Sequence, residues 1–337
     1  MRILLTGGAG YIGSHTCVAL VAAGFTPVIL DNFANSNPRV LERLERITGR
    51  RVTCEEGDVA DKALVGNILR RHEIGGVIHF AADKSVGESV ADPLKYYRNN
   101  ICGAVSLFES MQDAGLGVLV FSSSATVYGD PVSVPIHEDF ARSFTNPYGH
   151  TKLVCEDMLG AICAANAQWK VAILRYFNPV GAHESGLIGE DPAGIPNNLM
   201  PYISQVATGT RQELNVFGDD YPTPDGTGVR DYIHVMDLAE GHVAALNALV
   251  EHGRSFTVNL GTGQGYSVLD VVKAFERASG RKVPYRIAPR RVGDVAQCYA
   301  DPTLAKEVIG WQATRSLDEM CVDTWRWQSA NPHGYRD

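Results

Sequence analysis

The sequence predicts an α/β protein built on a doubly wound parallel sheet, with a smaller mixed α/β domain at its C-terminal end. Two observations carry this. Short β-branched or aliphatic runs alternate with helix-like segments through the first half, and the runs are continuously apolar, as strands covered by helices on both faces must be. After Tyr176 the composition turns loop-rich, with Asn178-Pro179, residues 189–196 and residues 219–228 punctuated by Pro, Gly and Asn.

Taken in order, the strand candidates are Ile3 to Thr6, Pro27 to Leu30, Val52 to Glu55, Val77 to Ala81, Val118 to Ser122 and Val171 to Tyr176. Helices are expected to begin near Tyr11, Asp61, Tyr96 and Tyr148. Beyond the sheet, further helices are expected near Leu199 to Thr208, Val235 to Val250, Leu269 to Ser279 and Leu317 to Gln328. The division is placed near residue 177, giving one domain over 1–177 and a second over 178–337.

The 337 residues carry a formal charge of -8, and no run of Lys or Arg is long enough to follow a phosphate backbone, so nucleic acid is not an expected partner. No stretch approaches the ~20 apolar residues that span a bilayer. Seven scattered cysteines, with neither a Cys-x-x-Cys nor a zinc spacing, suit a reduced cytosol and imply no metal centre.

The first chemical motif is Thr6-Gly7-Gly8-Ala9-Gly10-Tyr11-Ile12-Gly13, between the first strand and the first helix. Glycines there give a tight turn, close approach of backbone to a pyrophosphate, and close packing of helix on strand. The helix N-terminus adds amide donors and the positive end of a dipole. The next strand ends in Asp31, where a carboxylate can accept from ribose hydroxyls and would repel a 2′-phosphate; no Arg or Lys follows before Arg39. Together these point to a Rossmann-like site for NAD rather than NADP.

The second motif is Tyr148-Gly149-His150-Thr151-Lys152, with Ser122 to Thr126 upstream at the end of the fifth strand. Residues four apart share a helix face, so the Lys152 ammonium can sit near the Tyr148 hydroxyl. A phenol titrates near pH 10, and bringing it to neutrality needs about 4 kcal/mol of phenolate stabilisation. Lysine and a cationic nicotinamide together can supply that, making Tyr148 a usable base. Ser124 and Thr126 emerge at the same crevice, whereas His150 is expected on the opposite, solvated face.

These residues resemble the extended short-chain dehydrogenase/reductase superfamily, and within it the UDP-glucose 4-epimerase family. The likeness runs from Met1 to the final Tyr335-Arg336-Asp337, and includes the stretches 121–130 (FSSSATVYGD), 175–183 (RYFNPVGAH), 194–202 (GIPNNLMPY) and 225–238 (DGTGVRDYIHVMDL). It implies an isomerase of galactose metabolism that interconverts UDP-galactose and UDP-glucose with retained NAD, working as a homodimer through the helices near Tyr96 to Met111 and Tyr148 to Cys163.

Carried over residue by residue, the resemblance implies that Tyr11 and Ile12 cover the pyrophosphate, and that Asp31, Asn32, Asn35 and Ser36 hold the adenosine ribose. Asp58 and Val59 fall beside adenine. Phe80, Ala81 and Lys84 supply strand-end and ribose contacts, and Asn99 and Phe177 complete the nicotinamide site. Tyr148, Lys152 and Ser124 match the catalytic residues. For the nucleotide sugar, Thr126 stands beside Ser124, while Asn178, Asn198, Leu199, Val216 and Phe217 embrace sugar and uridine. Arg230, Arg291 and Asp294 hold diphosphate and ribose, a task suited to guanidinium forks.

Two departures stand out. Cys298 occupies a position where a bulky tyrosine lines the sugar pocket in the bacterial form of the family, so room for a 2-acetamido group, and turnover of UDP-GlcNAc and UDP-GalNAc, are expected unless Tyr299 shifts into the space. Ala82-Asp83 precede Lys84 where Gly and an apolar residue are expected. Among rivals, a nucleotide-sugar 4,6-dehydratase needs an acid and a base after the serine, commonly Asp-Glu, and here Ala125 and Thr126 stand there. A simple dehydrogenase or a non-enzymatic NAD sensor would share the fold.

Overall fold

The computed structural model describes residues 1–192, 194–291 and 293–336. Val292, within the stretch that aligns Cys298, and the terminal Asp337 lie outside the described residues. The six expected strands form close to their expected bounds: β1 (Arg2–Thr6), β2 (Thr26–Asp31), β3 (Thr53–Glu56), β4 (Ile74–His79), β5 (Val118–Ser124) and β6 (Lys170–Tyr176). They make one parallel sheet in the order β3-β2-β1-β4-β5-β6, which reverses direction between β1 and β4. A ligand crevice is expected outside the carboxyl ends of those two strands.

The rest of the chain supplies β7 (Asn178–Val180), β8 (Leu214–Phe217), β9 (Val229–His234), β10 (Phe256–Leu260), β11 (Gly265–Ser267), β12 (Tyr285–Ala288) and β13 (Gln297–Cys298). Of these, β10 does not stay with its neighbours in sequence. It adds to β6 as the seventh parallel strand of the first sheet. The preceding helix, Val235–His252, packs on the first helix, Tyr11–Ala22, so residues 235–260 belong structurally with the N-terminal half. Strand β9 pairs with β7, β11 and β13 in a second small sheet, and β8 pairs with β12.

Helices start at Tyr11, at Lys62 behind an Asp61 cap, and at Pro147 behind an Asn146 cap. The expected helix near Tyr96 is broken: short helices Val86–Ala91 and Pro93–Tyr96 lead through a π turn, Tyr97–Cys102, into Gly103–Asp113. The helix Val40–Thr48 was not expected. Its stripe Val40, Leu41, Leu44 and Ile47 packs on the core at helical spacing, a pattern legible in the sequence but passed over.

A buried ion pair fixes the long helix Pro147–Ala165 to the sheet. Arg175 on β6 grips Glu156 with two bonds, Nε to Oε1 at 3.0 Å and Nη2 to Oε2 at 2.7 Å. Ser123 of β5 and Arg142 also donate to that carboxylate. Removing Glu156 leaves the buried Arg175 charge with only neutral acceptors, the Tyr128 hydroxyl and the Glu138 carbonyl, in bonding contact, so Glu156→Ala is expected to lose about 3–5 kcal/mol of stability. Urea unfolding checks this; a loss below about 1 kcal/mol would contradict it.

Three buried histidines set the acid limit of the fold. Burial pushes His15 and His79 down to about 3 and His242 down to about 4. Their folded values lie below the unfolded value near 6.5, so the unfolded chain takes up protons first as pH falls. Stability is therefore full above about pH 6.5 and drains toward pH 4, by up to about 1.4 kcal/mol per histidine per pH unit. The unfolding temperature is expected to fall steeply between pH 6 and pH 4.5; a flat profile there would overturn the account.

Candidate active site

The crevice beside β1 and β4 is a cleft of about 1080 Å³. Its floor is the glycine turn, where each glycine has a separate reason. Gly7 has φ 69°, and a Cβ there would lie 2.8 Å from the Ala81 amide beyond β4. At Gly13 a Cβ would lie 2.5 Å from the Gly7 carbonyl, so helix and turn can meet only without a side chain. Gly10 sits at the N-cap of the helix Tyr11–Ala22, and no side chain caps its first turn. The amides and dipole there are open to an anion.

Asp31, buried at the end of β2, ties the floor to the wall. Its carboxylate accepts from the amides of Ala9 and Phe33, both at 2.9 Å, and from the Ser36 hydroxyl at 2.8 Å. Asn32 donates to Asp58 at 3.0 Å, so the two loops expected to flank adenosine are joined. Gly7, Gly10, Tyr11, Ile12, Gly13, Asp31, Asn32, Asn35, Ser36, Asp58, Val59, Phe80, Ala81, Lys84 and Asn99 all line this one cleft. The Ala82-Asp83 departure leaves Lys84 in place: Asn100 holds the Asp83 backbone from both sides, at 2.8 and 3.0 Å.

Tyr148 and Lys152 line the same cleft. Tyr148 is half-buried; desolvation raises its phenol above the ordinary value, and the Ser124 hydroxyl pulls it partly back. Lys152 is buried, and that burial lowers its ammonium to about 8. At pH 7 it still carries most of its charge. The ammonium donates to the Ser122 carbonyl at 2.7 Å and not to the Tyr148 hydroxyl that their spacing places on the same helix face; on the phenol itself only burial and the Ser124 hydroxyl act appreciably. Ser124 Oγ accepts from both the Thr126 amide, at 3.2 Å, and the Thr126 hydroxyl, at 3.0 Å. Its own proton is left free to donate.

His150 departs from expectation. It stacks on Phe144 at 4.1 Å and bonds Tyr97 Oη at 2.8 Å, so it joins the two adjoining helical segments instead of standing in solvent. Sequence reasoning also missed Tyr176, at the end of β6, whose hydroxyl donates to His242 Nε2. The donor is settled by His242 Nδ1, which lies 2.8 Å from the Leu238 carbonyl and must carry the ring proton. No spacing in the chain signals a pair 66 residues apart.

The residues expected on the sugar side are spread over the second sheet, the β8–β12 pair and the start of the helix Leu199–Ala207. Asn178 on β7 and Arg230 on β9 lie in paired strands, and Cys298 on β13 is opposite Arg230. Arg291 stacks over the Phe217 ring at 4.8 Å and pairs with Asp294 at 2.8 Å, placing an arginine beside Val216 and Phe217 at the end of β8. Asn198 lines the cleft and precedes Leu199, the first residue of the helix Leu199–Ala207. Phe177 and Cys298 share one apolar cluster with Ala125, next to Ser124.

Fold and site define a dinucleotide-dependent enzyme whose cleft is lined by a half-buried tyrosine and a buried lysine. The family profile described as GDP-mannose 4,6 dehydratase matches residues 4–324. UDP-glucose 4-epimerase of Bacillus subtilis (strain 168) is 59% identical over 336 residues, covering 100% of this chain and 99% of the relative. A crystal structure of UDP-glucose-4-epimerase from Stenotrophomonas maltophila, with bound NAD and formylated UDP-arabinopyranose, superposes with a TM-score of 0.97 at 53% identity, over 98% of this chain and 99% of that one. The Bifidobacterium longum enzyme in complex with NAD+ and UDP gives 0.95 at 50% identity, over 99% and 100%. The chain belongs to the UDP-glucose 4-epimerase family.

Proposed function

We propose that the protein is an NAD-dependent UDP-glucose 4-epimerase, interconverting UDP-galactose and UDP-glucose through a 4-keto sugar. The observation that carries this is Tyr148, bonded by Ser124, lining with Lys152 a glycine-floored dinucleotide cleft, in a chain of that family. The cleft suits NAD: Gly10 leaves the helix N-terminus bare, and Asp31 is buried where a 2′-phosphate would fall. The first cation after it, Arg39, is engaged with the Tyr335 and Arg336 carbonyls. When bound, NAD supplies the two-electron acceptor that holds the C4 hydride and gives it back.

Tyr148 takes the C4 hydroxyl proton, directly or through the free proton of Ser124. Lys152 keeps positive charge beside the developing phenolate. Asn178, Leu199, Val216 and Phe217 grip the nucleotide, while Arg230, Arg291 and Asp294 hold diphosphate and ribose. The 4-keto sugar is then free to turn over on its anchor and present its other face.

The Cys298 site supports a wider substrate range that takes in UDP-GlcNAc and UDP-GalNAc. Tyr299 packs toward Gly265, where a Cβ would meet its ring at 3.0 Å, whereas Cys298 packs with Phe177. This packing of Tyr299 supports the reading in which the space beside Cys298 stays open. We further propose that residues 1–177 hold the cofactor and 178–337 the UDP-sugar, with residues 235–260 lent back to the first sheet. The expected setting is cytoplasmic, as a homodimer through the helical segments near Tyr96 to Met111 and Tyr148 to Cys163. Among the described residues, no helix is long and apolar enough to cross a membrane.

The decisive test is to incubate the purified protein with UDP-galactose, without added NAD, and follow the sugar by NMR. Conversion to UDP-glucose with no net NADH is the expected result. Accumulating NADH would replace the proposal with a simple dehydrogenase.

A further inference from the structure

We propose that Glu190 is a positioning residue that joins the cofactor half of the cleft to the sugar half, acting on each through a separate contact. The inference rests on the epimerase reading above. One carboxylate oxygen, Glu190 Oε1, accepts from Lys84 Nζ at 3.2 Å and from Asn198 Nδ2 at 3.1 Å. Lys84 stands on the cofactor side, its ammonium 5.9 Å from the centre of the Tyr11 ring. Asn198 stands on the sugar side, at the N-cap of the helix Leu199–Ala207.

The carboxylate rises from a fixed platform. Trp327 Nε1 donates to the Glu190 carbonyl at 3.3 Å, the Gly189 amide donates to the Tyr335 hydroxyl at 3.3 Å, and the Tyr335 amide donates to Asp191 at 3.0 Å. A Cβ on Gly189 would come within 2.4 Å of the Trp327 indole, so the platform has no slack. The Glu190 side chain is only 11% exposed.

A carboxylate is costly in a cleft that receives two pyrophosphates unless its charge is matched by a fixed cation. Lys84 provides the match through a charge-assisted bond, which restrains a long side chain that would otherwise wander. The second contact determines the Asn198 amide. A carboxylate can only accept, so Nδ2 must face Glu190 and Oδ1 is turned away from it, available to accept from a sugar hydroxyl. Glu190 thus aims a donor at the cofactor and an acceptor at the sugar without contacting the reacting carbon.

The test compares wild-type holoenzyme with Glu190→Ala and Glu190→Gln, measuring kcat and KM for UDP-galactose, the rate of NAD release after dilution, and the urea midpoint. Glu190→Ala is expected to raise KM and speed NAD release, each about tenfold, with kcat within about threefold of wild type. Glu190→Gln keeps a carbonyl for Asn198 but loses the charge for Lys84. It is expected to restore KM while NAD release stays about tenfold fast. That split is not produced by a merely structural residue. Unchanged KM and NAD release in both variants would overturn the proposal, as would equal loss of both in the two variants together with a lowered urea midpoint. No turnover by the wild type would instead sink the epimerase reading itself.

Discussion

Replacing Tyr148 by Phe is expected to lower kcat for UDP-galactose by roughly 10³-fold while leaving UDP binding within about threefold of wild type. The phenol combines a place in the cleft with a serine partner, Ser124, and lies one helical turn from the buried Lys152. Burial alone drives Tyr148 the wrong way, above its ordinary value, so the protein chain by itself does not make a base of it. Positive charge is expected to bring it down, above all that of the oxidised nicotinamide when bound. Phe keeps the ring and its packing and removes only the oxygen. Steady-state kinetics with a parallel UDP titration check the outcome, and near-normal turnover would remove Tyr148 from the chemistry.

The second large effect is expected at Cys298. In Cys298→Tyr, turnover of UDP-GlcNAc is expected to fall at least about 100-fold while UDP-galactose turnover changes by less than about threefold, because a bulky ring takes the volume a 2-acetamido group needs. The position sits on β13 in an apolar cluster with Phe177 and Ala125, so an added ring would crowd the same cluster from which Ser124 emerges. Coupled NMR assays with both sugars separate the two activities. Absence of UDP-GlcNAc turnover in the wild type would close the question against an open gate. Burial pushes the Cys298 thiol up to about 11, so it is a neutral thiol at working pH. Its contribution is its size.

The chain order alone was enough for the parallel sheet, because a strand covered on both faces must be apolar throughout, and six such runs alternate with helices. It was also enough for the glycine floor, Asp31 and the Tyr148–Lys152 spacing, since each depends on residues close in sequence: a turn, a strand end, one face of a helix. The sugar-side residues were legible only through long stretches shared with a known family. No local period links Arg230 on β9 to Cys298 on β13.

What only the tertiary structure decided are the pairings across the chain. Strand β10 joins a sheet begun more than two hundred residues earlier; its Phe256-Thr257-Val258-Asn259-Leu260 alternates apolar and polar residues and so lacks the continuous apolar run of a strand covered on both faces, and it is placed by long-range contacts, the packing of the helix Val235–His252 on Tyr11–Ala22 among them. His150 was expected in solvent, but helix phase says which way a side chain points and nothing of what another element brings to meet it, here Tyr97 and Phe144. Glu190 is the same case within the site: a loop carboxylate with no signature, whose Lys84 partner lies 106 residues away. Local chemistry is written in spacing along the chain. Coupling between distant groups is set by how buried surfaces pack, and that choice is made by the whole fold.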